Sequence, residues 1–353
     1  MIKAIYLRDF RNYKQANITF SPKSNMIWGD NAQGKTNLLE ALYLFISGRS
    51  FRTSHLKELI HFGAPAFYLE ILFEKNEIEQ TLKFSFDGDE RKILHNATPL
   101  ASLSSLLGIL TGVVLSPEDR SLIKGGPTIR RHFLDLLLSQ AKPLYLHHLA
   151  RYLRAMKQRN ILLKKRALST ISIWEEQMAT AAAFLTRMRA HTVAELTLLS
   201  QSEALGADYL ELTYRSSAFA AKGDHLEDLH AFFLNQFTKH RHRECDLGMS
   251  LSGPHRDDLI ILVQGKEARQ FASEGQQKSC VAALKLAQWK WLKDLSDQTP
   301  IFCIDDVGVS FDHCREHELY QRIEGLGQVF ITSARPPVWN AHLISVQNGR
   351  FVF

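Results

Sequence analysis

The sequence has few cysteines and no long apolar run. Its 353 residues include four cysteines, at positions 245, 280, 303 and 314, and no C-x-x-C pair, so the spacing indicates neither a disulfide framework nor a zinc site. Two clusters, His240/His242/Cys245 and His313/Cys314/His317, each lack the second half of a metal site. No apolar stretch approaches the ~20 residues of a membrane span, and the N-terminus MIKAIYLRDF has the pattern of a strand. We therefore expect a cytoplasmic protein with no membrane segment and no signal peptide.

The composition is that of a globular protein with an excess of positive charge. Hydrophobic residues make up 45% of the chain and charged residues 23%, which is ordinary for a soluble protein. The length favours two domains. The net charge of +6 suits an anionic partner such as nucleic acid, and it suits a basic enzyme without such a partner equally well.

The stretch GDNAQGKT, residues 29–36, matches the phosphate-binding loop pattern Gly-x-x-x-x-Gly-Lys-Thr. A short apolar strand, MIW (26–28), precedes it, and apolar residues at helical spacing follow it until Gly48. The backbone N–H groups of the loop would hold phosphates, with Lys35 on the terminal phosphates and the Thr36 hydroxyl on Mg²⁺. The predicted nucleotide-binding residues of the loop are Gly29, Asp30, Asn31, Ala32, Gln33, Gly34, Lys35 and Thr36.

The segment PIFCIDDVG (300–308) supplies the acids that such a loop needs, since four apolar residues lead into Asp305 and Asp306. Asp305 fits the residue that holds the Mg²⁺-bound water, and Asp306 fits the group that activates the attacking water. The alternative is an acidic turn after a core strand. Asp305 follows Lys35 by 270 residues, from position 35 to position 305. This separation excludes most small P-loop kinases and GTPases and favours an ABC-type ATPase with a split head.

ABC-type ATPases also need a signature loop that reaches the γ-phosphate of the opposing subunit. The segment FASEGQQKSCVAALKLAQWKWLKDL (271–295) supplies a candidate, because Ser273 and Gly275 open a long amphipathic helix. A serine hydroxyl and a glycine N–H at a helix N-terminus form an anion site. The alternative for Ser273 is an ordinary N-cap. The presence of the two other motifs favours the signature.

Strand patterns and helical patterns occupy different blocks of the chain. Residues 1–127 contain strand patterns, the phosphate loop and a hairpin signal at DGDE (87–90). Residues 128–246 show helical periodicity and little strand signal, and strand patterns return at 247–353. We therefore predict an α/β fold, an ABC-type P-loop ATPase head with a mixed sheet and flanking helices. Residues 1–127 and 247–353 would build the head, and residues 128–246 an inserted helical arm.

An ordered series of stretches across the whole chain resembles one family. The stretches are LRDFRNY (7–13), GDNAQGKTNLLEAL (29–42), GRSFRT (48–53), SPEDRSLIKGGPTIRRHFLD (116–135), SGPHRDDL (252–259), FASEGQQKS (271–279) and DDV (305–307). They resemble the RecF family of bacterial recombination mediators, which are related to SMC proteins. The phosphate loop alone would not distinguish this family from its relatives, whereas LRDFRNY with GRSFRT, SGPHRDD and SEGQQK is close to specific for it.

The resemblance implies an ATPase head that uses ATP and Mg²⁺ and forms a homodimer. ATP would lie between the phosphate loop of one subunit and Ser273, Gly275 and Gln276 of the other. The dimer would bind duplex DNA near single-strand gaps and act with RecR and RecO to load RecA, in gap repair, replication restart and SOS induction. Weak, DNA-stimulated hydrolysis would then release it, with Lys35, Ser273 and Asp306 as the catalytic residues. The resemblance also places Asn12 near the base or ribose and assigns SPED (116–119) to coupling between the arm and the nucleotide.

The sequence departs from the family pattern at three places. Where the family usually has a loop similar to Ser-Glu-Leu-Asp, Val309-Ser310-Phe311-Asp312 keeps only the aspartate, so the resemblance does not extend to cross-dimer contacts of this loop. The strand VFITSAR (329–335) has no switch histidine, which leaves Thr332 or Ser333 as candidates for contacting the γ-phosphate. Asp306 stands where many ABC enzymes use glutamate, and its shorter side chain is compatible with slow turnover.

The stretch RYLRAMKQRNILLKKR (151–166) carries seven basic residues and no acid. Such a stripe would contact DNA phosphates without reading sequence, and the alternative is a solvated helix face. The predicted DNA-binding residues are Arg151, Arg154, Lys157 and Lys165, which share roughly one side of a helix, together with Arg130 and Arg131 just upstream.

Two alternatives to a DNA-repair ATPase remain, the ATPase subunit of an ABC transporter and a metabolic P-loop kinase. A transporter subunit would lack the long helical arm and would normally carry Leu-Ser-Gly-Gly-Gln at the signature. A kinase would show a substrate pocket and an arginine-bearing lid, and it would have no role for a signature loop.

Overall fold

The strand patterns of the sequence become strands in the computed structural model, which describes residues 1–205, 209–218, 225–296, 298–306, 313–334, 341–347 and 350–352. The strands are β1 (Ile2–Phe10), β2 (Tyr13–Thr19), β3 (Ser24–Trp28), β4 (Phe67–Lys75), β5 (Ile78–Phe86), β6 (Arg91–His95), β7 (Thr98–Pro99), β8 (Gly112–Leu115), β9 (Leu210–Arg215), β10 (Asp258–Val263), β11 (Lys266–Glu267), β12 (Ile301–Ile304), β13 (Val329–Ser333), β14 (His342–Gln347) and β15 (Arg350–Val352). The predicted hairpin turn at 87–90 joins β5 to β6, which pair antiparallel.

The helices are α1 (Lys35–Ser47), α2 (Ser121–Lys124), α3 (Pro127–Ala141), α4 (Pro143–Lys165), α5 (Ile171–Ser202), α6 (Leu226–Leu247), α7 (Ala268–Phe271), α8 (Glu274–Asp294) and α9 (His313–Ile323). Helix α1 ends where the sequence predicts, because Gly48 adopts a left-handed φ of 71° and its N–H bonds the carbonyl of Leu44. Among the described residues, no helix is long and apolar enough to cross a membrane.

The chain divides into two compact units. The first unit comprises Met1–Arg120, Glu203–Asp208 and Ser273–Phe353, and the second comprises Ser121–Ser202 and Tyr209–Ala272. These divisions differ from the predicted ones at 127/128 and 246/247. Residues 247–272, which we assigned to the head, lie in the second unit because β10 and β11 form a sheet with β9 there.

The first unit contains two six-stranded sheets. One is antiparallel, with the order β2-β1-β4-β5-β6-β7, and the other has the order β15-β14-β3-β13-β12-β8. In the second sheet β3, β8, β12, β13 and β14 run parallel, and β15 pairs antiparallel with β14. Trp28 pairs with Ser333, and Ile304 pairs with both Leu115 and Ile331, so the carboxyl ends of these strands meet at one edge. Ligand sites of parallel sheets lie at such edges.

Helix α1 supplies the apolar residues that join the two sheets of the first unit. Leu38, Leu42 and Phe45 are fully buried and share one hydrophobic cluster with residues of both sheets, such as Phe67 and Phe330. The start of α1 is therefore fixed by close packing beneath it.

The second unit is mainly helical, as predicted for residues 128–246, and also contains a three-stranded sheet with the order β11-β10-β9. Strand β9 lies inside the range where we expected little strand signal, so that expectation was wrong at Leu210–Arg215. Its partner is β10, antiparallel to it and distant in sequence. A strand stabilised by a remote partner has only a weak local signature.

A buried arginine connects three helices of the second unit. Arg159 of α4 is fully buried and donates to Glu175 of α5 at 3.0 Å and to Glu244 of α6 at 2.6 Å. It also donates to Ser250 Oγ and to the carbonyl of Phe237. Buried charges persist only when they are paired and hydrogen-bonded, and this group meets both conditions.

We expect Arg159→Ala to lower the free energy of unfolding by about 3–5 kcal/mol, because two carboxylates would stay buried with fewer partners. Urea unfolding followed by circular dichroism would measure it. Arg154→Ala is the matched control, since Arg154 is exposed on the same helix and its loss should change stability by less than about 0.5 kcal/mol. Equal shifts for the two variants would contradict the role of Arg159.

Candidate nucleotide site

The phosphate loop lies between β3 and α1, at the carboxyl edge of the parallel sheet. Gly29 has φ +149°, and a Cβ there would lie 2.4 Å from the carbonyl oxygen of Val346. Gly34 has φ +114°, and a Cβ there would lie 2.5 Å from the Asn12 amide. Both conformations and both close approaches exclude a side chain, which explains the two glycines of the pattern. Asp30, Asn31 and Ala32 form the exposed turn of the loop.

Lys35 lies folded over this loop. Its Nζ donates to the carbonyl oxygens of Gly29 at 2.7 Å and Asp30 at 2.8 Å. Burial lowers the pKa of Lys35, and the nearby carboxylates of Asp306, Asp305 and Asp30 oppose that shift. At the N-cap, Gly34 has no side chain to cap α1. The N-terminal N–H groups of the helix and the lysine thus form the kind of cationic end that binds phosphate.

Asp305 and Thr36 are in direct contact. Thr36 Oγ1 donates to Asp305 Oδ1 at 2.9 Å across 269 residues of sequence, and Thr332 Oγ1 donates to the same oxygen at 2.7 Å. Asp305 is only 6% exposed, and burial raises its pKa, while the two threonine hydroxyls oppose the shift and Glu118 adds to it. A hydroxyl beside a buried carboxylate is an oxygen donor set that fits Mg²⁺.

A hydrogen bond from its backbone N–H fixes the position of Asp306. Its φ is +54°, and its N–H donates to Thr332 Oγ1 at 2.8 Å. A left-handed conformation is uncommon for a residue other than glycine and often marks a functional position. Thr332 therefore links the two acids, accepting from the backbone of one and donating to the side chain of the other. We did not predict this contact, since we named Thr332 or Ser333 only as candidates for contacting the γ-phosphate.

Two residues of the LRDFRNY stretch cover the loop. Asn12 Nδ2 donates to the carbonyl oxygen of Gln33 at 2.8 Å, and Tyr13 Oη donates to that of Gly34 at 2.8 Å. Asn12 is thus beside the loop, and its contact with the base or ribose stays a prediction. The role of Tyr13 was missed. Its only signal was its place in a motif, because the bond joins positions 21 residues apart.

Ser273 is the N-cap of α8. Its Oγ accepts from the Gln276 N–H at 3.2 Å, and its own N–H donates to Gln276 Oε1 at 2.9 Å, which is a capping box. A Cβ on Gly275 would lie 2.6 Å from an Arg315 nitrogen. The described hydrogen bonds of Ser273 go to its own helix, and none of them joins it to the phosphate loop. The ordinary N-cap and the signature are both compatible with this geometry.

The SPED segment lies between the acids and α8. The Asp305 N–H donates to the carbonyl oxygen of Leu115, the residue before this segment, at 2.8 Å. Asp119 pairs with Lys285 of α8 at 2.7 Å, and Arg120 pairs with Glu274 at 3.0 Å. The segment together with its two flanking residues, Leu115 and Arg120, therefore contacts both the acid end of the site and the helix that begins at Ser273.

The predicted DNA-binding residues separate into two groups. Arg154, Lys157 and Lys165 are exposed on α4, and Arg151 is half-buried. Arg130 contradicts the prediction, because it is 5% exposed and binds Asp258 through two hydrogen bonds of 2.8 and 2.9 Å. An arginine in such a bidentate pair has few donors left for a phosphate.

The exposure of Arg131 is intermediate between that of the exposed residues on α4 and that of the buried Arg130. Arg131 is partly exposed and donates to the carbonyl oxygen of Asp257 at 2.8 Å and to Thr128 Oγ1 at 3.0 Å.

The altered loop at 309–312 is outside the described residues. Ser333, the other candidate of its strand, is buried at the end of β13.

Comparison with known proteins finds relatives that match nearly the whole chain. A family model described as RecF/RecN/SMC N terminal domain matches residues 1–347. The DNA replication and repair protein RecF of Protochlamydia amoebophila (strain UWE25) is 46% identical over 340 residues, 95% of this chain and 94% of that protein. The protein of the same name from Chlamydia caviae is 42% identical over 339 residues, 95% of this chain and 92% of that protein.

Solved structures agree with the sequence matches. A structure described as the recombination mediator protein RecF-ATP in the RecFOR pathway superposes with a TM-score of 0.93 at 30% identity, covering 99% of this chain and 96% of that chain. An SMC head bound to the C-winged helix domain of ScpA matches with a TM-score of 0.56 at 16% identity and supports the fold alone. The predicted fold class, an SMC-like ABC-type ATPase head, is confirmed. The chain belongs to the RecF family.

Proposed function

We propose that this chain is an ATP-dependent DNA-repair protein that acts as a nucleotide-gated homodimer. The observation that carries the proposal is the contact of Thr36 with Asp305, which unites the phosphate loop with an acidic strand end 269 residues away. Relatives named for DNA replication and repair, and a RecF structure with ATP, support the same role. They favour it over a transporter subunit or a kinase.

ATP and Mg²⁺ would be held by groups that are already positioned. The backbone of residues 29–36 and Lys35 would bind the phosphates, Asn12 would lie near the nucleoside, and Thr36 and Asp305 would bind Mg²⁺. The metal would supply positive charge that offsets the charge on the terminal phosphates. Lys35 would exchange its two carbonyl partners for phosphate oxygens.

Asp306 is the group proposed to orient and activate the attacking water. The Thr332 hydroxyl fixes its backbone, and its side chain follows directly after the Mg²⁺ acid. Aspartate reaches less far than glutamate, which agrees with slow hydrolysis. Weak and DNA-stimulated turnover is part of the proposal.

The second half of the site would come from another copy of the chain. Ser273, Gly275 and Gln276 open α8 with a capped but exposed first turn, suited to a γ-phosphate held by the opposing loop. ATP would thus join two subunits, and hydrolysis would separate them.

DNA would be the binding partner of the dimer. The exposed basic residues Arg154, Lys157 and Lys165 are suited to duplex phosphates without sequence readout. Two partly exposed arginines, Arg151 on the same helix and Arg131 on α3, are included in the proposal. We further propose action near single-strand gaps with RecR and RecO to load RecA. This includes roles in replication restart and SOS induction, in the cytoplasm.

The variant Asp306→Asn tests whether the bound nucleotide controls dimerisation. We expect this variant to bind Mg²⁺·ATP and to shift from monomer to dimer, because hydrolysis stalls and the dimer persists. Light scattering after size-exclusion chromatography, with and without ATP, measures the mass. The double variant Lys35→Ala/Asp306→Asn is the control and should remain monomeric. An unchanged mass with ATP demonstrably bound would refute the dimer.

Ser273→Arg separates the signature from an ordinary helix cap. Placed in the Asp306→Asn background, it should leave ATP binding by the monomer within about twofold and prevent dimerisation, because the arginine occupies the space of the opposing γ-phosphate. Asn17→Arg adds the same side chain at an exposed position of β2 and should still dimerise. Dimerisation of the Ser273 variant would leave Ser273 as a cap only.

The salt dependence of DNA binding tests the basic face. Arg154→Ala/Lys157→Ala/Lys165→Ala should weaken duplex binding and reduce the slope of log K against log salt by roughly one for each DNA phosphate that is no longer neutralised. Fluorescence anisotropy with ATP at several salt concentrations measures both. Lys14→Ala/Arg91→Ala/Lys92→Ala removes equal charge from exposed positions of the first unit. The same slope change in both triple variants would mean that only net charge acts.

A further inference from the structure

Two motifs close to specific for the family have no role in the phosphate chemistry, and they converge on one side chain. LRDFRNY (7–13) contributes Arg11, and GRSFRT (48–53) contributes Ser50 and Arg52. All three approach Glu40, a fully buried residue of α1, one helical turn and one residue beyond Lys35.

The carboxylate of Glu40 is fully engaged. Arg11 binds it through two bonds, Nε to Oε2 at 2.8 Å and Nη2 to Oε1 at 2.7 Å. Ser50 Oγ donates to Oε1, and the guanidinium of Arg52 lies 3.7 Å from Oε2. Ser50 Oγ also accepts from the backbone N–H groups of Arg52 and Thr53, so the glutamate fixes the turn of the second motif.

From these two anchored segments, a chain of hydrogen bonds runs back to the phosphate loop. Arg52 Nη1 donates to Asn37 Oδ1 at 2.9 Å, and Asn37 Nδ2 donates to Asn12 Oδ1 at 2.8 Å. Asn12 in turn donates to the carbonyl oxygen of Gln33 in the loop. Asn12 directly follows Arg11, so Glu40 fixes it from both sides.

A residue that only filled space beneath α1 would not need a paired carboxylate such as that of Glu40. Glu40 lies on the buried side of α1 among apolar residues such as Leu39 and Ala41, where a charge is costly unless it is paired. The pairs it makes lead to side chains that remain partly exposed around the loop, including Arg52, whose side chain is 40% exposed. Buried charge networks of this kind specify geometry more than they add stability.

We propose that Glu40 is a positioning residue for ATP. It holds the turn at Arg11–Asn12 and the loop at 48–53 against the phosphate loop, so that Asn12 and Arg52 are set in place before the nucleotide arrives. The inference rests on the proposed ATP site at Lys35 and extends it to Arg11, Glu40 and the loop at 48–53.

The test uses Glu40→Gln in the full-length chain. We expect the affinity for a fluorescent ATP analogue to fall roughly tenfold and KM for ATP to rise equally, with kcat little changed, because Glu40 is too deep to touch the reacting atoms. Without nucleotide, backbone amides of residues 11–12 and 49–53 should exchange hydrogen faster. A merely structural role would lower the melting temperature and leave KM of the folded protein unchanged.

Asn12→Ala completes a double-mutant cycle. If Glu40 acts through Asn12, the double variant should lose little more affinity than the weaker-binding single variant. Independent, multiplied losses, or wild-type affinity in folded Glu40→Gln, would overturn the proposal. If Glu40→Gln does not fold, Ser50→Ala removes one bond and keeps the Arg11 pair, and it should raise KM about two- to fivefold.

The controls distinguish this inference from the ATP site itself. Glu70→Gln changes a carboxylate on β4 that pairs with Lys83 at 3.4 Å, and it should leave ATP affinity unchanged. Lys35→Ala should weaken ATP binding even if Glu40 has no part in it. Loss of binding in Lys35→Ala with none in folded Glu40→Gln would reject the positioning role alone, whereas normal binding in Lys35→Ala would reject the ATP site.

Discussion

The hydrogen bonds that Thr36 and Thr332 donate to Asp305 constrain how the strands of the first unit are arranged. They join α1, β12 and β13 at one carboxylate oxygen, and they require positions 269 residues apart to meet within 3 Å. These positions meet because β3, β13 and β12 are consecutive strands of one sheet. The chain can leave the first unit after Arg120, rejoin it at Glu203–Asp208 and return to it at Ser273, because none of these junctions falls within those strands. The insertion is tolerated for the same reason that loops tolerate long additions, since closure entropy grows slowly with length.

Local chemistry explains what could be predicted from the sequence. The glycines of the loop, the left-handed end of α1 at Gly48 and the acids after an apolar strand each depend on a few neighbouring residues. Contacts between distant residues could not be predicted in this way. Thr332 serves both acids because β13 lies beside β12, and β9 exists because β10 pairs with it. The unit boundaries follow from that pairing, so they too were beyond local patterns.

The fate of the arginines in the second unit shows how burial overrides charge. Arg130 and Arg159 belong to basic stretches of the sequence, yet both side chains are buried. Arg130 pairs with Asp258, and Arg159 pairs with Glu175 and Glu244. For Arg159 a signal existed. Tyr152, Ala155, Arg159 and Leu163 follow helical spacing and form the buried stripe of α4, so the arginine falls on the apolar face. For Arg130 the acid is 128 residues away, and nothing in the local sequence marks it.

The capping box at α8 explains how the first turn of this helix can be stable in one subunit before it meets a second subunit in the proposed dimer. A helix begins with N–H groups that have no partner inside the helix. At α8 the box provides partners for the N–H groups of Ser273 and Gln276, so the turn is formed before any ligand arrives. Gly275 has no side chain, which leaves room for the Arg315 guanidinium to lie close to the backbone of that turn. In the proposed dimer the γ-phosphate meets this preformed turn and the opposing Lys35 together. Neither half has the full set of phosphate partners, so the association of the subunits depends on the nucleotide that both bind.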